Sequence, residues 1–136
     1  MAGSRWGSPW VAAALWAFAV GTTALTIWFS LASAPPDVGS DKDLHALAYL
    51  VNTLAILLAA GWRPGARSAA SFGWTAVITL GMLALGAALE VAQKYFGRST
   101  DRQDWFADAT GIAIAVLVFI AVTLAGHRRR RSRTAP

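Results

Sequence analysis

Four apolar runs, each about the 20 residues a bilayer-spanning helix needs, decide most of what this chain can become. They cover residues 10–32, 44–62, 72–93 and 105–125. In lipid every backbone N–H and C=O must find its partner within the segment, so such runs fold as helices. The expected fold is therefore all-α, a four-helix transmembrane bundle. Charge agrees with this. Only 14% of the 136 residues are charged, against about 25% in a soluble domain, which leaves too little polar surface to face water.

The breaks between the runs carry turn chemistry: Ala34-Pro35-Pro36, Arg63-Pro64-Gly65, and the stretch from Gly97 to Asp104. The Trp residues sit near the proposed span ends, with Trp16 a little inside the first, as in the aromatic belts of membrane proteins. This divides the chain into a short cytoplasmic N-terminus (1–9), a four-span domain (10–125) and a basic cytoplasmic tail (126–136). The first run has a basic start at Arg5, and Ala32-Ser33-Ala34 resembles a signal-peptidase site. Its apolar stretch is too long for a signal peptide, however, and Pro35 would follow the cut, so the run is expected to stay as a span. The absence of cysteine excludes disulfides, a thiol nucleophile and a Cys-based metal site.

The net charge of +5 does not point to nucleic acid. Five of the twelve basic residues are Arg128 to Arg131 and Arg133, directly after an apolar run, where they read as a cytoplasmic flank. Placing both termini and the middle loop inside puts eight Lys and Arg there: Arg5, Arg63, Arg67 and the five tail arginines. Four remain outside: Lys42, Lys94, Arg98 and Arg102. The loops at 33–43 and 94–104 are then external, and all seven acidic residues fall in them or at adjoining helix ends. The chain is expected to cross the membrane four times, with both termini cytoplasmic.

Three polar faces start from that outer side. In the second helix Asp41, His45, Tyr49 and Asn52 are spaced 4, 4 and 3 and share a face, with Lys42 beside them. Ser40 or Asp41 can cap this helix. In the third, Gly86 and Glu90 share a face that Gln93 and Lys94 extend. In the fourth, Asp101, Asp104, Asp108 and Gly111 do the same. Capping and snorkelling account for single residues at helix ends. They do not account for Asp108, a turn further in, or for Glu90, embedded in an apolar run. A carboxylate there must face the bundle interior and find a partner. Glu90 is expected to act as a hub, bonded to Arg98 or His45 and to Gln93 or Tyr49, with the helices packed as antiparallel neighbours. The candidate ligand-binding residues are Asp41, Lys42, His45, Tyr49, Glu90, Gln93, Arg98, Asp104 and Asp108. One His among carboxylates is a thin ligand set for zinc, so neither metal nor cofactor is expected.

The ordered set Asp41-Lys42-x-x-His45-x-x-x-Tyr49, Glu90-x-x-Gln93, Arg98 and Asp104-x-x-Ala107-Asp108-x-x-Gly111 resembles the VanZ-like family, over about residues 40–115. Its members are small bacterial membrane proteins with about four spans. The family often has Asn at the position of Asp108. Its founding member is associated with low-level resistance to the glycopeptide teicoplanin, so the resemblance implies a cell-envelope setting and a link to antibiotic resistance.

Three functions compete. In the first, an outer-leaflet pocket binds an envelope lipid, a lipid-linked precursor or a lipophilic glycopeptide, with Arg98 and Lys42 pairing phosphate or carboxylate. In the second, an intramembrane enzyme uses Glu90 or Asp108 as acid or base, His45 as shuttle and Arg98 as anion stabiliser, without a recognisable nucleophile motif. The third is a proton-coupled transport component, which the almost purely apolar inner halves of the spans disfavour. The partners expected are membrane lipids and such a lipid-linked or glycopeptide ligand. Nucleic acid is not among them, and the oligomeric state is left open.

Overall fold

The computed structural model describes residues 9–32, 41–61, 68–97 and 102–134, with side chains accounted for over 9–32, 41–61, 72–97 and 102–126. The order is α1 (Pro9–Leu31), α2 (Asp41–Gly61), α3 (Ser68–Gln93), a 3₁₀ turn (Lys94–Phe96) and α4 (Arg102–Thr134). No strand occurs among the described residues. Each of the four helices contains a stretch long and apolar enough to cross a membrane. The all-α, four-helix bundle read from the sequence is what forms. Two of the three turn segments, at 34–36 and 63–65, lie outside the described residues. At the third, Gly97 takes φ +75°, a left-handed conformation that glycine adopts without steric cost, and ends the 3₁₀ turn.

The bundle buries polar groups and shows apolar ones outward. Trp10, Phe18, Val20, Val77, Leu80, Leu117 and Val122 are all more than half exposed. Asn52, Thr53, Gln93, Asp104 and Asp108 are buried. A water-soluble fold would do the reverse, because buried polar groups cost free energy and exposed apolar area gains nothing in water.

Helix α2 is the centre of the bundle, in contact with α1, α3 and α4. Against α1 it packs through Ala19, Ala55 and Ala59. Small residues of this kind let two backbones approach closely in lipid, where hydrophobic burial does not drive association. Against α3 and α4 it packs Tyr49 with Met82 and Ile112. The closest contact is between α2 and α4. A Cβ at Gly111 would overlap the Ala46 carbonyl, so glycine is required at this crossing.

The α2–α4 contact also corrects one expectation. Lys42 meets Asp104, His45 meets Asp108, Ala46 meets Gly111 and Gly61 meets Phe119. Residue numbers rise together along both helices, so this pair is parallel. Consecutive spans alternate in direction, and the second and fourth therefore run the same way. The polar starts of α2 and α4 lie side by side for that reason. The fourth helix also continues past residue 125 to Thr134, so the basic tail extends the helix.

Candidate functional site

The polar cluster begins where α2 and α4 begin. Asp41 is exposed in the first turn of α2, and Asp104 is buried in the first turn of α4. Acidic residues are favoured at both places by the helix dipole. Lys42 reaches across to Asp104, with Nζ 3.4 Å from Oδ1. One turn further in, His45 Nδ1 lies 2.9 Å from Asp108 Oδ1, and both side chains are buried. Asp41, His45 and Asp104 each bring one oxygen or nitrogen to within 4.8 Å of the other two.

Below this pair sits Tyr49, 1% exposed. Its hydroxyl and Asp108 Oδ2 both lie against Gly86 of α3, at 3.4 and 3.1 Å from where a Cβ would be. Gly86 is thus the gap in α3 that admits the two polar groups. Tyr49 Oη and Gln93 Oε1 are buried and make no hydrogen bond among the described residues. Buried polar atoms of this kind are costly, on the order of 1–3 kcal/mol each.

The structure thus brings Asp41, Lys42, His45, Tyr49, Asp104 and Asp108 together at one end of the bundle. Glu90 and Gln93 lie on the neighbouring face of α3, Glu90 half-buried and Gln93 1% exposed. Arg98 lies outside the described residues. His45, one of the two partners expected for Glu90, pairs with Asp108 instead, and Tyr49 makes no hydrogen bond among the described residues; Arg98, the other expected partner, lies outside them. The reason lies in packing. Gly111 draws α4 almost into backbone contact with α2, so the carboxylate that reaches His45 is the one on α4.

Sequence reading missed the contribution of α1. Thr22, Thr26 and Ser30, spaced four apart, line one side of a groove of about 240 Å³. The other wall is α2, from Asp41 and His45 through Leu44, Leu47 and Ala48 to Tyr49 and Val51, and Leu25 and Phe29 add apolar surface. The groove therefore has polar atoms at one end and along one edge, and hydrocarbon elsewhere. Below it, Asn52 is fully buried, with Oδ1 3.2 Å from Thr22 Oγ1 and 2.9 Å from Thr23 Oγ1. Each hydroxyl also lies within 3.0 Å of the Ala19 carbonyl. A hydroxyl has one proton and cannot donate to both. The network closes when the amide is turned so that its nitrogen donates to the two hydroxyls and they donate to Ala19. The 4, 4 spacing of Thr22, Thr26 and Ser30 was the available signal.

Apolar helix faces turned outward, buried polar residues and an amphipathic groove beside them define a multi-pass membrane protein with a polar site at one end of its bundle. No protein-family model, curated protein or solved structure matches the chain.

Proposed function

We propose that this is a VanZ-like protein of the bacterial inner membrane, with both termini cytoplasmic, that binds an envelope amphiphile between α1 and α2. The observation that carries the reading is the groove itself. It joins a polar end formed by Asp41 and His45 to walls of Leu25, Phe29, Leu44, Leu47 and Val51. A molecule with a polar head and a hydrocarbon tail matches both halves: an envelope lipid, a lipid-linked wall precursor or a lipophilic glycopeptide of the teicoplanin type. The family resemblance supports the envelope setting, and the eight-to-four split of Lys and Arg supports an outer-leaflet mouth.

The charge at the mouth refines the headgroup. Asp41 is the carboxylate that lines the groove, with Asp104 next to it, while Lys42 is engaged by Asp104. Carboxylates accept hydrogen bonds and favour hydroxyl or amine donors. A sugar or amino headgroup fits this mouth better than a bare phosphate.

The test is mass spectrometry of lipids retained by the purified protein in native-like nanodiscs, compared with Ala48→Trp. Ala48 lines the groove, and an indole there fills it. The expected result is one lipid class enriched over the surrounding membrane and lost in the variant. A retained lipid profile equal to bulk membrane in both proteins would sink the proposal.

One observation favours a second reading, an intramembrane acid–base enzyme. His45 is held by a buried carboxylate, the arrangement that orients an imidazole for proton transfer. Conversion of the retained lipid on incubation, abolished in His45→Gln, separates catalysis from binding.

A further inference from the structure

We propose that Asp41, His45 and Asp104 form a binding site for a divalent transition-metal cation, of the Mn²⁺ or Zn²⁺ class, at the mouth of the groove. The residues come from two helices, and their ligating atoms lie within 4.8 Å of one another. One imidazole with two carboxylates is a mixed set that suits these ions, since carboxylates favour Mn²⁺ and imidazole favours Zn²⁺. With metal–ligand bonds of 2.0–2.2 Å, ligand atoms in a tetrahedral site stand about 3.4 Å apart. The cluster must therefore draw in by about an ångström, and Asp41, at the start of α2, is the exposed ligand of the three.

Helix dipoles account for an acid at the start of α2 and another at the start of α4. They do not account for the histidine between them. His45 is 8% exposed, and Nδ1 is taken by Asp108 from outside the three-residue set. An ionised carboxylate only accepts, so a neutral ring facing it carries its proton on Nδ1 and its lone pair on Nε2. A carboxylate behind a histidine is the arrangement that fixes the tautomer of metal-binding imidazoles. Nε2 makes no hydrogen bond among the described residues. Asp104 is 4% exposed, yet its only partner among the described residues is Lys42 at 3.4 Å. That is long for a charge-assisted bond, which runs about 2.7–2.9 Å. Among the described residues this buried carboxylate thus has one long ion pair and the nearby imidazole of His45.

Lys42 stands in for the cation in this arrangement. Its side chain is 44% exposed. Metal binding displaces it from Asp104, so the lysine competes with the metal. Asp41 and His45 also line the groove, and the coordination positions left open by three protein ligands are available to water or to an anionic group of a bound molecule. The metal site stands without a lipid in the groove.

The experiment is calorimetric titration of Mn²⁺ and Zn²⁺ into the full-length protein in chelator-free detergent. Spin-echo spectroscopy of the Mn²⁺ form detects a ligating nitrogen. The expected result is one saturable site per chain with nitrogen coupling. Asp104→Asn should weaken it by at least about tenfold, the lower end of what even an outer-shell partner costs. Lys42→Gln should tighten it, and Asp43→Asn, an exposed acid on the same helix turn, should leave it unchanged. No saturable binding in either the parent protein or Lys42→Gln overturns the proposal. Loss of affinity as large in Asp43→Asn as in Asp104→Asn overturns it equally, because it marks surface charge. Lys42→Gln keeps every ligand, so a misfolded Asp104→Asn protein does not spare the proposal. Lipid retention is not measured here, so failure of this site and failure of amphiphile binding remain distinguishable.

Discussion

His45 and Asp108 form the contact on which the polar end of the bundle depends. Both are buried, their Nδ1–Oδ1 distance is 2.9 Å, and neither side chain has another hydrogen-bond partner among the described residues. Removing one partner strands the other, at a cost on the order of 1–3 kcal/mol, more where the group left behind is charged. Asp108→Ala should therefore destabilise the protein by at least this amount in thermal unfolding in a single detergent. Asp108→Asn retains an acceptor oxygen of the same reach and should lose less than half as much. If the two variants unfold at the same temperature, the hydrogen bond contributes nothing and the pair is only packing. Gly86 belongs to the same local account, since a methyl there would press on Asp108 Oδ2 at 3.1 Å.

The crossing of α2 and α4 is set by Gly111. Two effects oppose each other in Gly111→Ala. Helix propensity favours alanine by up to about 1 kcal/mol. The new Cβ meets the Ala46 carbonyl and the Leu50 amide nitrogen, backbone atoms that cannot rotate away. Overpacking of this kind typically costs about 1–3 kcal/mol, and with backbone as the obstacle the clash wins. Gly111→Ala is thus expected to lower the unfolding temperature and to part His45 from Asp108. Gly81 of α3 is the control: it is exposed with nothing within 4 Å of a Cβ, so Gly81→Ala should be neutral or mildly stabilising. Equal behaviour of the two variants would mean the crossing is looser than drawn. The helices and their polar faces were legible in the sequence, because a buried carboxylate in an apolar run has to face inward. The pairing of faces was not. His45 could meet Glu90 or Asp108, and the choice follows from a backbone approach that one glycine permits. The hydroxyls of α1 were hidden for another reason. Thr22, Thr23 and Thr26 satisfy themselves on carbonyls three or four residues back, so a threonine in a span carries no unpaid polar group and no obligation to face a site.

The whole molecule is electrically lopsided along its long axis. The described acids Asp41, Asp43, Glu90, Asp104 and Asp108 all belong to the helix ends that meet at the polar cluster, while the arginine tail leaves from the far end of α4. Helix length makes that separation physical. At about 1.5 Å per residue, the 33 residues of α4 extend about 50 Å. The hydrocarbon core is about 30 Å thick, so α4 is longer than a span needs by about 20 Å. In the proposed orientation, with the positive residues retained on the cytoplasmic side, the acidic mouth of the groove faces outside. A reporter active only in the cytoplasm, fused after Arg133, should therefore be active. One active only outside the membrane, inserted in the 33–40 segment, should be active as well. The reverse pattern in a well-expressed protein would turn the groove toward the cytoplasm. It would remove every extracellular glycopeptide and outer-leaflet precursor from the set of ligands. The metal site would then face the cytoplasmic ion pool, with its ligand geometry untouched.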